Sequence, residues 1–307
     1  MSKIIFILIS SILFILSCSN NNTSNINSKN ETVLREINII NAEGTSSPES
    51  IRLKNGKLYI ANIGNADIEK DGFFLCVNED GSNPIKLFEG ELDAPRGFYF
   101  ITDDVIAIAD QDADKGLSGN VVLANVKDNS IITKLTIDEA KLLNDIAAID
   151  NTTIAVSDTG NNKVYFVNVE NNSSLSLSNS VDNVYGANGI AFDNGKLYVA
   201  TSGFMGAENT GYVYSFNADG SGLEKWKDDI IGSGGLDGIA VYNNKLYVSD
   251  WGENGTNACI YVFDLNTKEQ LEKIEGNLKG AADIDVNENN TIYIPELSTG
   301  LIKKVQL

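Results

Sequence analysis

The sequence predicts an all-β protein: a six-bladed β-propeller of four-stranded antiparallel blades, its last blade closed by an N-terminal strand. Three observations carry that prediction. First, a pattern of turn, apolar step, tight turn and Leu-Tyr-Val-like strand recurs six times. Anchored on the residue before the first apolar step, the copies fall at Ser50, Gly97, Asp145, Gly189, Gly238 and Asp283, 44 to 49 residues apart. A period of about 40–50 residues made only of strands is the signature of propeller blades, which must stack around an axis to bury both faces. Second, a third strand follows in each copy, for example 73–77, 121–126, 164–169, 259–263 and 301–305. Third, the last copy stops after that strand. Residues 33–40, ahead of the first copy, supply the missing one and remove both sheet edges.

From the start of the chain, Lys3 precedes an apolar run over 4–16, too short to span a bilayer and right for a signal peptide over 1–17. It ends in Ile15-Leu16-Ser17-Cys18, which resembles a bacterial lipoprotein box. That resemblance implies cleavage before Cys18, lipid attachment to Cys18, and a membrane-anchored protein of the bacterial cell envelope. Residues 18–31 are rich in Asn and Ser without apolar period and read as a flexible tether. Residues 32–307 form a single propeller domain.

The fourth copy shows the blade best. Its inner strand, 190–192, turns through Asp193-Asn194-Gly195 into 196–200, because Asn-Gly supplies the positive φ of a tight hairpin. A longer loop, 201–211, leads to 212–216, and Asn217-Ala218-Asp219-Gly220 turns into an outer strand near 223–226. Turns between first and second strands are short throughout. Loops between second and third strands are long, at 63–71, 111–119, 202–211 and 251–258. One face is therefore elaborated, and elaborated loops mark a binding face.

Composition excludes several functions. The net charge of -19 leaves no basic footprint, so nucleic acid is not a partner. The chain has no His, which rules out Ser-His-Asp hydrolysis and His-bound zinc. Of three Cys, Cys76 and Cys259 fall in third strands of blades that are not neighbours, so two buried thiols are expected rather than a disulfide.

Comparing the copies separates frame from site. The second strands end in Asn62, Asp110, Asp158, Thr201, Asp250 and Glu296, near-uniform groups that satisfy local backbone N–H. The residues just before the anchors are Glu49, Arg96, Asn144, Asn188, Asp237 and Ala282, whose chemistry differs from blade to blade inside a constant frame. Inner strands open at one end of the central channel. Glu49, Asn144, Asn188 and Asp237 then offer two carboxylates and two amide oxygens, a hard-oxygen set suited to Ca²⁺.

These steps, Ser47-Pro48-Glu49-Ser50, Leu143-Asn144-Asp145, Ala187-Asn188-Gly189 and Leu236-Asp237-Gly238, resemble the SMP-30/gluconolactonase group of six-bladed propellers and the related diisopropyl-fluorophosphatase. The resemblance implies a catalytic Ca²⁺ held by Glu49, Asn144, Asn188 and Asp237, with Asp237 also serving as base or nucleophile and Asn144 also meeting substrate. The group's Arg two residues before the third-blade Asn is Leu142 here, which puts sugar-acid lactone recognition in doubt. Arg96 has two readings, an anion contact for substrate or a channel ion pair with Glu49. The run Asp110-Gln111-Asp112-Ala113-Asp114-Lys115-Gly116 suggests a second ion loop, but Val121 stands where an EF-hand has Glu, so a solvated acidic loop is expected.

Two functions follow as expectations. One is a Ca²⁺-dependent hydrolase of a small lactone or ester-like substrate. The other is a non-catalytic propeller that binds a protein or glycan partner through its loop-rich face, any channel ion being structural.

Overall fold

A computed structural model describes residues 35–111, 119–203 and 208–307. The signal peptide, Cys18, the tether to residue 31 and the acidic run over 112–116 lie outside them. The described residues form six four-stranded antiparallel sheets in sequence order around one axis, a six-bladed propeller.

Numbering strands a to d outward from the axis, blade 1 comprises Pro48–Lys54, Lys57–Asn62, Gly72–Asn78 and Ile85–Leu92. The inner strands of the next four blades are Ala94–Phe100, Leu143–Asp150, Ala187–Asp193 and Leu236–Tyr242. Blade 6 has a short inner strand, Asp285–Val286, then Thr291–Glu296 and Leu301–Gln306. Its outer strand is Ile37–Ile40, antiparallel to Leu301–Gln306 with Ile37 opposite Val305 and Ile40 opposite Ile302. The closure expected from residues 33–40 is therefore present. Arg35 reinforces it through a two-pronged ion pair with Glu272 of blade 5.

The core is divided among the blade seams. Ile51, Leu58, Leu75, Tyr293 and Ile302 fill the seam of blades 6 and 1; Leu143, Ile146, Val156, Val121 and Leu123 fill that of blades 2 and 3. The other four seams carry equivalent clusters. Alternating residues of each strand face the blade on either side, so the Leu-Tyr-Val strands repeat because every seam needs the same packing. Cys76 and Cys259 are buried free thiols within this packing.

The a–b ladder breaks in each of the first five blades, between Pro48 and Ser50, Pro95 and Phe98, Leu143 and Ile146, Ala187 and Ile190, and Leu236 and Ile239. A bulge frees residues from pairing and re-aims their side chains. The freed residues are Glu49, Arg96, Asn144, Asn188 and Asp237, each with its anchor except in blade 1.

Candidate functional site

Residues at the ends of the second strands hold the entries to the inner strands. Asn62 accepts from Ser46 N at 2.8 Å, Asp110 from Ala94 N at 2.9 Å, Asp158 from Leu142 N at 2.9 Å, Asp250 from Ser233 N at 2.7 Å and Glu296 from Lys279 N at 2.8 Å. Each clip lies two to four residues ahead of a channel residue, so these residues belong to the frame and also set the position of the site. Asp110, here a backbone clip, is thereby committed to the frame.

Burial pushes Asp110 up to about 7, against the backbone N–H groups that favour its charge. Its folded form therefore binds a proton that the unfolded chain has released. The associated stability is complete below about pH 4 and should be lost as pH rises through about 7, by at most about 4 kcal/mol. Asp110→Asn should reduce the fall of melting temperature between pH 4.5 and 7.5 in metal-free buffer, with the other raised carboxylates left to supply the rest; an unchanged slope would refute this.

Two serines missed by the sequence comparison stitch the inner strands. Ser157 Oγ accepts from Asp145 N at 2.9 Å and donates to Asn188 O; Ser249 Oγ accepts from Gly238 N at 2.7 Å and donates to Ala282 O at 2.9 Å. Each stands opposite a bulge and satisfies backbone that the ladder no longer serves. Their signal was the Ser beside Asp in Ser157-Asp158 and Ser249-Asp250.

At the mouth of the channel, Glu49, Asn144 and Asn188 are buried, at 3%, 5% and 5% exposure, and Asp237 is part-exposed. Asn144 donates its Nδ2 to Thr159 Oγ1 at 3.0 Å, and Asn188 donates its Nδ2 to Leu236 O at 3.4 Å. Each amide thus donates an N–H to the wall and keeps a carbonyl oxygen. Arg96 Nη1 donates to Glu49 Oε1 at 3.0 Å, while its Nε and Nη2 donate to Gln111 Oε1 at 3.2 and 3.1 Å. The channel ion pair is therefore formed, and Gln111 fixes the plane of the guanidinium.

Burial raises Glu49 above the usual carboxylate range against the pull of Arg96. Burial, then the carboxylates of Glu49 and Asp283, hold Asp237 well above it. Among the described residues, only three buried side-chain N or O atoms lack a hydrogen-bond partner: Glu49 Oε2, Asn188 Oδ1 and Asp283 Oδ1. All are acceptors in the channel. Buried acceptors without donors are costly, and a cation removes that cost. The donor set thus fits a hard divalent cation. No three His, Cys, Asp or Glu side chains cluster as a metal site among the described residues, so such an ion would need the amide oxygens of Asn144 and Asn188.

One step deeper, the anchors form a second tier. Ser50 Oγ donates to Asp283 Oδ2 at 2.6 Å, and Arg52 Nη2 lies 2.8 Å from Asp283 Oδ2 and 3.6 Å from Asp145 Oδ1. Asp145 also accepts from Ile146 N at 2.7 Å and Ile190 N at 2.9 Å. Burial first, then Asp283, drives Asp145 well above the ordinary range. Beyond this plug, toward the trimmed face, the channel opens into a cavity of about 170 Å³ lined by Arg52, Tyr99, Ala147, Ala191, Ala240 and Asp285. That cavity has no unpaired buried acceptor of its own, so the chemically distinctive end is the loop-rich one.

The fold and channel define a six-bladed propeller with a polar, oxygen-rich mouth. No family model matches the sequence, and no curated protein matches it. Solved structures do match. A luciferin-regenerating enzyme aligns with a TM-score of 0.63 and 13% identity over 89% of this chain and 95% of that one. A chain of a nidogen/laminin complex aligns at 0.57 and 13%, over 76% and 82%, and a chain of a mitotic checkpoint complex at 0.56 and 11%, over 94% and 82%. At such identities the likeness shows the propeller fold alone.

Proposed function

We propose that the protein is a Ca²⁺-dependent hydrolase of a lactone or ester-like small molecule. The observation that carries this reading is the pair of unpartnered buried oxygens, Glu49 Oε2 and Asn188 Oδ1, beside the part-exposed Asp237. Glu49, Asn144, Asn188 and Asp237 would hold the ion. When bound, it would polarise the scissile carbonyl and stabilise developing negative charge. Asp237 has no hydrogen-bond partner among the described residues; a bound cation would hold its carboxylate ionised against burial and its acidic neighbours, leaving it to take a proton from water or to attack. Asn144 would also meet the substrate, and Arg96, fixed by Gln111, presents its remaining N–H groups to an anionic part of it. The luciferin-regenerating enzyme among the similar structures is an enzyme on this architecture, which supports the reading. The Ile15-Leu16-Ser17-Cys18 box supports a lipid anchor at Cys18 in the bacterial envelope; Cys18→Ala should shift the protein out of the membrane fraction.

The same scaffold in the nidogen/laminin and checkpoint complexes favours a second reading, a partner-binding propeller without catalysis. Melting with Ca²⁺ against chelator comes first. An ion at 100 times its dissociation constant adds about 2.7 kcal/mol, a rise of several degrees for this chain length. Glu49→Gln should abolish the rise, and no rise in the native protein would remove the site. Lactones, carboxylic esters and phosphotriesters come next. Turnover lost in Asp237→Asn supports hydrolysis; ion binding without turnover of any class supports the second reading.

A further inference from the structure

We propose that Asp283 is the charge beneath the cation site that sets its affinity, acting from the second tier. This rests on the cation reading above. Blade 6 contributes no polar side chain at the mouth, since its residue there is Ala282. Asp283, one residue further, is 97% buried, and its Oδ1 is one of the three unpartnered acceptors. The other two belong to proposed ligands.

Its place beside Glu49 is fixed from several sides. Asp283 N donates to Glu49 O at 2.9 Å, and Ser50 and Asp283 form a parallel bridge. Asp283 Oδ2 is taken by Ser50 Oγ and Arg52. Arg52 is shared with Asp145, so Asp283 does not have the guanidinium to itself. The Asp283 carboxylate lies under the mouth in a region closed to solvent, where its charge acts over several ångströms with little screening. Asp283 is thus a positioning residue for the ion: it favours a divalent cation at the mouth without being its ligand. A carboxylate behind the ligands commonly changes metal affinity by about 10–100-fold.

The test is calorimetric titration of the metal-free protein with CaCl₂, alongside melting in chelator. Asp283→Asn keeps an acceptor for Ser50 and Arg52 and should weaken Ca²⁺ binding about tenfold or more. Asp285→Asn, two residues further along the chain, removes an equal charge below the plug and should stay within about threefold of the native protein. Equal losses in the two variants, or none in Asp283→Asn, overturn the proposal. Should Asp283→Asn fail to fold, Arg52→Lys decides: a single ammonium compensates Asp283 and Asp145 less well than the guanidinium fork. Ca²⁺ should then bind several-fold tighter, and unchanged affinity refutes the idea. If the native protein takes up no Ca²⁺, the cation site itself fails. If it does, and Glu49→Gln abolishes binding while Asp283→Asn does not weaken it, only the role of Asp283 fails.

Discussion

Arg52→Met should lower stability by about 3–5 kcal/mol, the cost of leaving buried carboxylates without their cation. Arg52 meets Asp283 and Asp145 and also donates to the carbonyls of Ile51, at 2.8 Å, and Ile284, at 3.3 Å. Methionine matches much of its length and packs well against Phe98, over which the guanidinium lies at 5.7 Å, so the loss isolates charge and hydrogen bonding from volume. The melting temperature should fall by about 10 °C. Part of the loss should return in acid. Burial raises Asp145 and Asp283, and once protonated neither needs a counter-charge. A deficit equal at pH 5 and pH 8 would show that Arg52 acts by packing alone.

Gly238→Ala should be comparably damaging for a purely steric reason. A Cβ there would stand 2.6 Å from Asp283 Cα and from Ile284 N, backbone atoms of the next blade that cannot rotate away. Gly189 and Gly97 face the same constraint against Asp237 O, at 2.3 Å, and Asp145, at 2.2 Å from its Oδ1. Overpacking in a rigid seam costs typically 1–3 kcal/mol, and the upper end or beyond is expected where backbone is struck. Gly235→Ala is the control. Three residues earlier, its nearest atom would be Ser233 Oγ at 3.6 Å, so its melting temperature should match the native one. Similar losses in both variants would mean that backbone freedom, not close approach, governs these glycines.

The architecture was readable because propeller strands are short and locally encoded. Asn194-Gly195 turns the chain where expected, with both residues at positive φ, and residues 37–40 close the ring as the truncated last copy required. The channel-mouth residues of the candidate site stood out for a different reason: they break the repeat. The inner-strand bulges were not readable, because a bulge is a mismatch between two strands and neither sequence alone displays it. Arg52 was missed because Ile51-Arg52-Leu53 looks like a strand with one polar face toward water. In an innermost strand that face is the channel, so the same alternation buries a cation. Asp283 was assigned to the frame with the other anchors, although Ser50, Gly97, Gly189 and Gly238 are small and only Asp145 and Asp283 carry charge. The glycines supply the room that those two carboxylates occupy.

The outer strand of blade 6 also constrains biosynthesis. Ile37 leaves the ribosome long before its partner Val305, and until then a half-built ring exposes two unsatisfied strand edges. Pairings this distant in sequence form slowly, because a very long loop must close first. Until Leu301–Gln306 emerges, the nascent propeller is an open arc that could pair with other chains, and that strand acts as the latch.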